Sequence, residues 1–186
     1  MDSADAAIAR LCDPAAEVSA HYLIARDGTV QNLVPEDLRA WHAGAGEWCG
    51  QDDINSRSIG IELDNDGQSP FSEPLMTALE GLMPAIMARW NIPPEGVIGH
   101  SDMAPGRKFD PGPRFDWARL ERLGLARQRG TAPGPANPSA TAFRTLAQNA
   151  GYTAEMDDET LLDTVRLRYR PWANGPLTPE DVTPLT

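Results

Sequence analysis

Apolar residues along the chain alternate in three segments and recur at helical spacing in several others. Alternation predicts strands over 18–26, 29–34 and 58–63, the first two joined by a tight turn at Asp27-Gly28. Helical spacing predicts a long helix over 75–90, capped by Ser72 with Pro74 in its first turn. The remaining predicted elements are short: helices over 2–11, 115–124, 143–150 and 160–169, and the end of a strand at Val97-Ile98. This mixture of strands and helices indicates an α/β protein with further helices after residue 140.

A proline- and glycine-rich stretch over 127–140 predicts a linker. It separates a main domain over 1–126 from a small helical unit over 141–186. A unit of this length is too small to form a stable hydrophobic core by itself. It either docks on the main domain or forms a small helical binding module, and the sequence leaves both open.

Composition and charge exclude several classes of function. The 186 residues are 41% hydrophobic and 23% charged, which is typical of a globular protein, and no apolar run approaches the length of a membrane span. A net charge of −11 argues against non-specific binding to nucleic acid. Cys12 and Cys49 are too few for a disulfide framework and favour free thiols. The acidic N-terminus does not resemble a signal peptide, so we expect a cytoplasmic protein.

The segment 99–113 carries the densest candidate chemistry. Its prolines and glycines restrict the backbone and can bring His100 and Asp110 together. Both are good Zn²⁺ ligands, and a catalytic zinc uses about three protein ligands. Lys108 projects to the same side as Asp110 if the segment is extended, where its charge could stabilise an oxyanion. The alternative is a surface turn in which Lys108 pairs with Asp102 or Asp110.

Three further features admit both a functional and a structural interpretation. His21 lies on an otherwise apolar strand, where a satisfied structural histidine is commoner than a ligand. Glu62 ends a strand face of small residues, where it is either a general base or a solvent-exposed side chain. The loop that begins Trp41-His42 and carries two glycines is either a cleft wall or a turn anchored by its tryptophan.

Together these motifs resemble the zinc-dependent N-acetylmuramoyl-L-alanine amidase family, which includes AmpD-like type 2 amidases and, more distantly, peptidoglycan recognition proteins. The segments that carry the resemblance follow the family's order and approximate spacing over two thirds of the chain: Ser19-Ala20-His21-Tyr22-Leu23-Ile24, Asp27-Gly28-Thr29-Val30, Trp41-His42-Ala43-Gly44, Ser58-Ile59-Gly60-Ile61-Glu62-Leu63 and the loop from His100 to Gly112. The resemblance implies a mixed central β-sheet flanked by helices, with Zn²⁺ at the head of a cleft. It also implies a bacterial, monomeric hydrolase of cell-wall recycling that acts on muropeptides or peptidoglycan. The bond cleaved would be the amide between the lactyl group of N-acetylmuramic acid and L-alanine.

The resemblance also assigns roles to individual residues. His100 and Asp110 match two of the three zinc ligands. Glu62 matches the carboxylate that activates the attacking water, and Lys108 matches the cation that stabilises the oxyanion. The implied substrate-binding positions are three residues of the cleft wall and its surroundings: Trp41, His42 and Asn55.

One departure from the family pattern affects the zinc site. In this family the first ligand is a histidine at the end of an opening strand, just before the helix that residues 2–11 resemble. We therefore expect Met1 to be an internal methionine and the third ligand, a histidine, to lie upstream of it. If the site is incomplete, the chain is instead a non-catalytic muropeptide-binding module. The C-terminal helices more loosely resemble a peptidoglycan-binding unit, with Trp172 as a glycan contact or simply a packing residue.

Overall fold

The computed structural model describes residues 4–186, which form two compact units. Of the described residues, the first unit contains those up to Ala45 together with Asp53–Asn91, and the second contains Gly46–Asp52 together with Ile92–Thr186. The domain boundaries predicted near residues 126 and 140 fall inside the second unit, and that assignment stays a prediction. Within the described range, no helix is both long and apolar enough to cross a membrane.

The first unit is built on a mixed sheet of three short strands in the order β2-β1-β3. Strand β1 (Tyr22–Ile24) pairs antiparallel with β2 (Val30–Asn32) and parallel with β3 (Ile61–Leu63). This arrangement confirms the predicted fold class, but each strand is shorter than its alternating pattern indicates. Upstream of β1 the backbone bonds to loops instead of a neighbouring strand, as where the Ser19 N–H donates to the Trp41 carbonyl at 3.1 Å.

Two helices accompany this sheet. Helix α1 (Ala4–Leu11) buries Ala7 and Leu11 in a cluster with Ala20 and Leu23. Helix α2 (Glu73–Trp90) begins after the predicted cap, since the Ser72 hydroxyl accepts a hydrogen bond from the Leu75 N–H at 3.4 Å. The prediction for α2 is therefore confirmed, whereas residues 2 and 3 of the helix predicted over 2–11 lie outside the described residues.

The second unit is helical. Its helices are α3 (His100–Met103), α4 (Trp117–Arg122), α5 (Ala140–Ala150), α6 (Asp158–Tyr169) and α7 (Pro179–Val182). Helices α4, α5 and α6 confirm the three predicted there. Their core includes Phe143, Leu161, Val165 and Tyr169.

The strand end predicted at Val97-Ile98 is wrong, because these residues form neither helix nor strand. The Val97 carbonyl accepts a hydrogen bond from the Arg168 guanidinium at 3.2 Å. The Val97 carbonyl thus accepts from a side chain of α6 and not from a strand. His100 is still delivered by this segment, but at the start of a helix.

Candidate active site

The loop over 99–113 is closed by contacts between its two ends. The Ser101 N–H donates to the Asp110 carbonyl at 3.0 Å. A Cβ on Gly99 would lie 2.7 Å from Cδ of Pro111, so only glycine allows this approach without movement. The restricted loop expected from its glycines and prolines is therefore present.

The structure brings together the two residues predicted to bind a metal. Nδ1 of His100 lies 3.1 Å from Oδ2 of Asp110. The His100 side chain is 18% exposed and that of Asp110 is 62% exposed. Burial alone would raise the pKa of Asp110, but the hydrogen bond and charge of His100 hold that pKa below its ordinary value, with Lys108 adding a smaller effect.

Lys108 lies in the same loop and is half-buried. Its N–H donates to the Ala104 carbonyl at 3.0 Å, and its charge is one of the causes that lower the Asp110 pKa. The alternative in which Lys108 pairs with Asp102 is wrong, because Asp102 is buried and forms its ion pair with Arg168 at 2.6 Å. Lys108 therefore lies close enough to act electrostatically on the carboxylate of the candidate metal pair.

His100 and Asp110 provide two side chains of the kinds that bind zinc. An imidazole nitrogen and a carboxylate oxygen are ordinary zinc ligands, and their 3.1 Å separation lets both face one point. Across residues 4–186, however, no three His, Cys, Asp or Glu side chains gather in a way that could hold a metal ion. The two side chains could therefore supply two of the ligands of one metal ion.

The first unit contains the predicted general base, Glu62. It lies in β3, half-buried, in parallel register with Leu23 of β1. Gly60 is two residues earlier and shares its face. The His42 ring covers that face, since a Cβ on Gly60 would lie 2.3 Å from Cγ of His42. The structure therefore brings His42 to the Glu62 face of the sheet.

The other two predicted substrate-binding residues differ in exposure. Trp41 is 57% exposed, and the Arg39 guanidinium carbon lies 4.9 Å from its ring centroid. Asn55 is only 8% exposed, and its Oδ1 accepts hydrogen bonds from the backbone N–H groups of His42 and Ala43 at 2.9 and 2.8 Å. Asn55 thus fixes the loop that carries Trp41 and His42, while its contact with substrate stays a prediction.

His21 is a structural residue, as its position on an apolar strand predicted. It is 1% exposed, and its Nδ1 accepts from the Gly60 N–H at 3.0 Å. That bond assigns the ring proton to Nε2, which lies 3.0 Å from the Leu38 carbonyl and donates to it. Both ring nitrogens are therefore committed to the backbone.

Sequence reasoning did not predict the buried hydrogen-bonded cluster beside the loop, which consists of Asp102, Tyr152 and Arg168. Asp102 carries a local signal, because an acidic residue three positions after a helix cap commonly bonds back to the cap N–H. Its partners are 50 and 66 residues away in the sequence, and no local pattern indicates them.

Comparison with known proteins agrees with this architecture. A profile described as N-acetylmuramoyl-L-alanine amidase matches residues 1–113. AmiD, an N-acetylmuramoyl-L-alanine amidase of Escherichia coli (strain K12), is 40% identical over 140 residues, which cover 67% of this chain and 50% of AmiD. The 1,6-anhydro-N-acetylmuramyl-L-alanine amidase AmpD of Enterobacter cloacae is 42% identical over 106 residues, or 57% of each chain. The chain thus spans about half the length of these curated relatives.

Two solved structures with bound muropeptides match nearly the whole chain. The complex of E. coli AmiD with anhydro-N-acetylmuramic acid-L-Ala-D-gamma-Glu-L-Lys has a TM-score of 0.88 at 32% identity, and the match covers 99% of this chain and 83% of AmiD. AmpDh3 of Pseudomonas aeruginosa, in complex with anhydromuramic pentapeptide, has a TM-score of 0.86 at 30% identity and covers 100% of this chain and 86% of its own. With the family profile matching more than half of its residues, this chain belongs to the N-acetylmuramoyl-L-alanine amidase family.

Proposed function

We propose that this protein hydrolyses the amide bond between the lactyl group of N-acetylmuramic acid and L-alanine in muropeptides. The observation that carries the proposal is the His100–Asp110 pair, 3.1 Å apart in a restricted loop that also holds Lys108, in a chain of the amidase family. An imidazole, a carboxylate and a cation in one loop can supply two metal ligands and a charge that stabilises an oxyanion in metal-assisted hydrolysis of an amide.

His100 and Asp110 would hold a Zn²⁺ ion. When bound, zinc supplies a Lewis acid that polarises the carbonyl of the bond to be cleaved.

Three groups of side chains would perform the remaining work. The Lys108 ammonium stabilises the negative charge that develops on the carbonyl oxygen under attack. Glu62 acts as the general base that takes a proton from the attacking water and passes it to the leaving amine of L-alanine. Trp41 and His42 bind the substrate together with Asn55, which fixes their loop.

The proposed substrate is a soluble muropeptide with a 1,6-anhydro sugar. Support comes from the two related structures, which hold an anhydro-N-acetylmuramyl tripeptide in AmiD and an anhydromuramic pentapeptide in AmpDh3. The AmpD relatives are named for the same anhydro sugar. We place the protein in bacterial cell-wall recycling, as a cytoplasmic monomer.

A second candidate function is a non-catalytic muropeptide-binding module. One observation favours it: residues 4–186 include no group of three side chains able to hold a metal ion. Such a module would retain Trp41, His42 and Asn55 for binding and would release no product.

The two functions separate in one experiment. The protein is incubated with anhydro-N-acetylmuramyl-L-Ala-D-γ-Glu-L-Lys, with Zn²⁺ or with a chelator, and products are identified by mass spectrometry while binding is followed by calorimetry. Release of the free tripeptide with Zn²⁺ supports the amidase. Binding without release in both conditions supports the module, and absence of both binding and release refutes both proposals.

The C-terminal segment 141–186 is proposed as a distinct unit with a role in glycan binding, joined to residues 1–126 by the stretch 127–140. Trp172 supports this role, because its side chain is 72% exposed and an exposed indole can stack on a sugar ring. A Trp172→Ala variant that binds insoluble peptidoglycan as well as the wild type would contradict it.

A further inference from the structure

Asp102, two residues after the candidate zinc ligand His100, is a buried carboxylate that accepts hydrogen bonds from three directions. It is 1% exposed. Its Oδ2 accepts from the Gly99 N–H at 2.8 Å and from the Arg168 guanidinium at 2.6 Å, and its Oδ1 accepts from the Tyr152 hydroxyl at 2.9 Å. A buried carboxylate with this many donors is fixed in one orientation.

The Asp102 carboxylate holds the turn that presents His100. The Asp102 N–H donates to the Gly99 carbonyl at 3.1 Å while its side chain accepts from the Gly99 N–H, so the residue before His100 and the residue two positions after it are joined twice. Helix α3 has only four residues, too few to be stable by its own backbone hydrogen bonds. Its geometry therefore depends on the groups that hold Asp102.

Among the donors to Asp102, Arg168 is the one that carries a charge. Its side chain is 3% exposed, its guanidinium carbon lies 3.8 Å from the Trp117 ring centroid, and it also donates to the Val97 carbonyl. Burial would lower the pKa of Arg168, but the charge of Asp102 raises that pKa above its ordinary value. A permanent cation from α6 thus contacts both Asp102 and the segment that leads into His100.

Tyr152 completes the contact from the residues that follow α5. Its burial and the charge of Asp102 raise its pKa well above the ordinary value, so the hydroxyl keeps its proton and donates. The ring also packs edge-on against Trp48, with centroids 5.0 Å apart. The donor to Asp102 is therefore itself held rigidly.

We propose that Arg168 and Tyr152 are positioning residues for the metal ligand His100, acting through Asp102. The helices after residue 140 then have a role in the reaction in addition to any contact with glycan. The part of this inference that concerns zinc rests on the proposed function, whereas the part that concerns the geometry of His100 does not. Groups that orient a metal ligand commonly change metal affinity about 10- to 100-fold when they are removed.

Arg166 provides a matched control in the same helix. It is 4% exposed and pairs with the buried Asp181 at 2.7 Å, and its other hydrogen bonds go to the carbonyls of Gly175 and Pro176. Arg166→Met and Arg168→Met therefore each remove one arginine partner from a buried aspartate, and Asp181 keeps its second partner, Arg170. Only the second change involves the loop that carries His100.

The first measurement does not depend on metal or substrate. The chain has three histidines, so the ring nitrogen signals of His100 can be assigned by NMR, and the exchange rate of the Gly99 amide can be followed in the same samples. We expect Arg168→Met to shift the His100 signals and accelerate Gly99 exchange, and Arg166→Met to change neither. If both variants change them equally, or neither does, the proposal is wrong.

A second pair of variants, with smaller changes, tests the proposal if Arg168→Met does not fold. Tyr152→Phe removes one hydrogen bond to Asp102, whereas Tyr169→Phe alters a tyrosine that is also buried but does not bond to Asp102. We expect Gly99 exchange to rise about 2- to 10-fold in Tyr152→Phe, the scale of one lost hydrogen bond, and to stay unchanged in Tyr169→Phe. Equal rates in the two variants would overturn the positioning role.

Zinc affinity, measured by competition with a chelating dye, gives the functional result. We expect Arg168→Met to weaken Zn²⁺ binding about 10- to 100-fold, Arg168→Lys to recover part of the loss, and Arg166→Met to bind as the wild type does. Unchanged affinity in a folded Arg168→Met refutes the role in metal binding. If the wild type itself binds no zinc, the proposed function fails while the NMR comparison still decides the positioning role.

Discussion

Gly60→Ala tests whether the His42 ring rests against the backbone beside β3. The added Cβ would lie 2.3, 2.6 and 2.7 Å from Cγ, Cδ2 and Nδ1 of the ring. These distances are far below ordinary contact, and Cγ is the ring atom nearest the backbone, so rotation of the side chain cannot relieve them all. Since the backbone at Gly60 is outside the left-handed region, the expected effect is steric: a loss of about 1–3 kcal/mol in the free energy of unfolding, as for other overpacked sites.

Gly81→Ala is the matched control in the same unit. Gly81 lies inside α2, is exposed, and has nothing within 4 Å of an added Cβ. Alanine is the better helix former, so we expect this variant to be more stable than the wild type by about 0.5–1 kcal/mol. The same substitution should thus change stability in opposite directions at the two positions.

Urea unfolding followed by circular dichroism measures both variants, and NMR of the His42 ring reports its displacement. We expect a lower midpoint and shifted His42 signals for Gly60→Ala, and a higher midpoint with unshifted signals for Gly81→Ala. A Gly60→Ala protein as stable as the wild type, with unshifted His42 signals, would refute the packing described for this face of the sheet.

The remaining predictions concern charge and catalysis. Two arginine partners hold the pKa of the buried Asp181 at about 2 despite its burial, so its stabilising effect is present above pH 4 and is lost as the pH falls toward 2. Unfolding free energies measured from pH 7 to pH 2 should therefore show the largest deficit of Asp181→Asn at neutral pH, and a deficit that does not narrow in acid would contradict this. Glu62→Ala should keep zinc affinity but lower turnover about 10²- to 10⁴-fold, and near-normal turnover would remove Glu62 from the reaction. Lys108→Met should lower kcat about 10²- to 10³-fold while the neighbouring Arg107→Met leaves it unchanged, and equal effects would exclude a specific role for Lys108.

The elements that could be predicted from sequence are those specified by neighbouring residues. Helix α2 begins where Ser72 caps it and Pro74 fits its first turn, both of which are local signals. The strand predicted over 58–63 is shorter in the structure, and just before β3 the Gly60 N–H donates to Nδ1 of His21 instead of to a backbone carbonyl. Such a substitution depends on the packed structure and leaves no trace in the alternation of apolar residues.

The candidate site divides in the same way. His100 and Asp110 are ten residues apart in a loop restricted by proline and glycine, so their approach was predictable. The pairing of Asp102 with Arg168 could not be predicted. Arg168 lies in α6, and the apolar pattern of that segment predicts a helix but not which residues its side chains contact. The resemblance to amidases assigns roles to residues within the matched motifs. It does not predict the buried ion pair between Asp102 and Arg168 that holds the loop over 99–113.

The proposed amidase activity depends on the loop that carries His100 and Asp110. The most direct test measures release of the free tripeptide from anhydro-N-acetylmuramyl-L-Ala-D-γ-Glu-L-Lys by Zn²⁺-loaded wild-type protein and by a folded His100→Ala variant. We expect release by the wild type and none above background by the variant. Hydrolysis by His100→Ala at the wild-type rate would contradict the account.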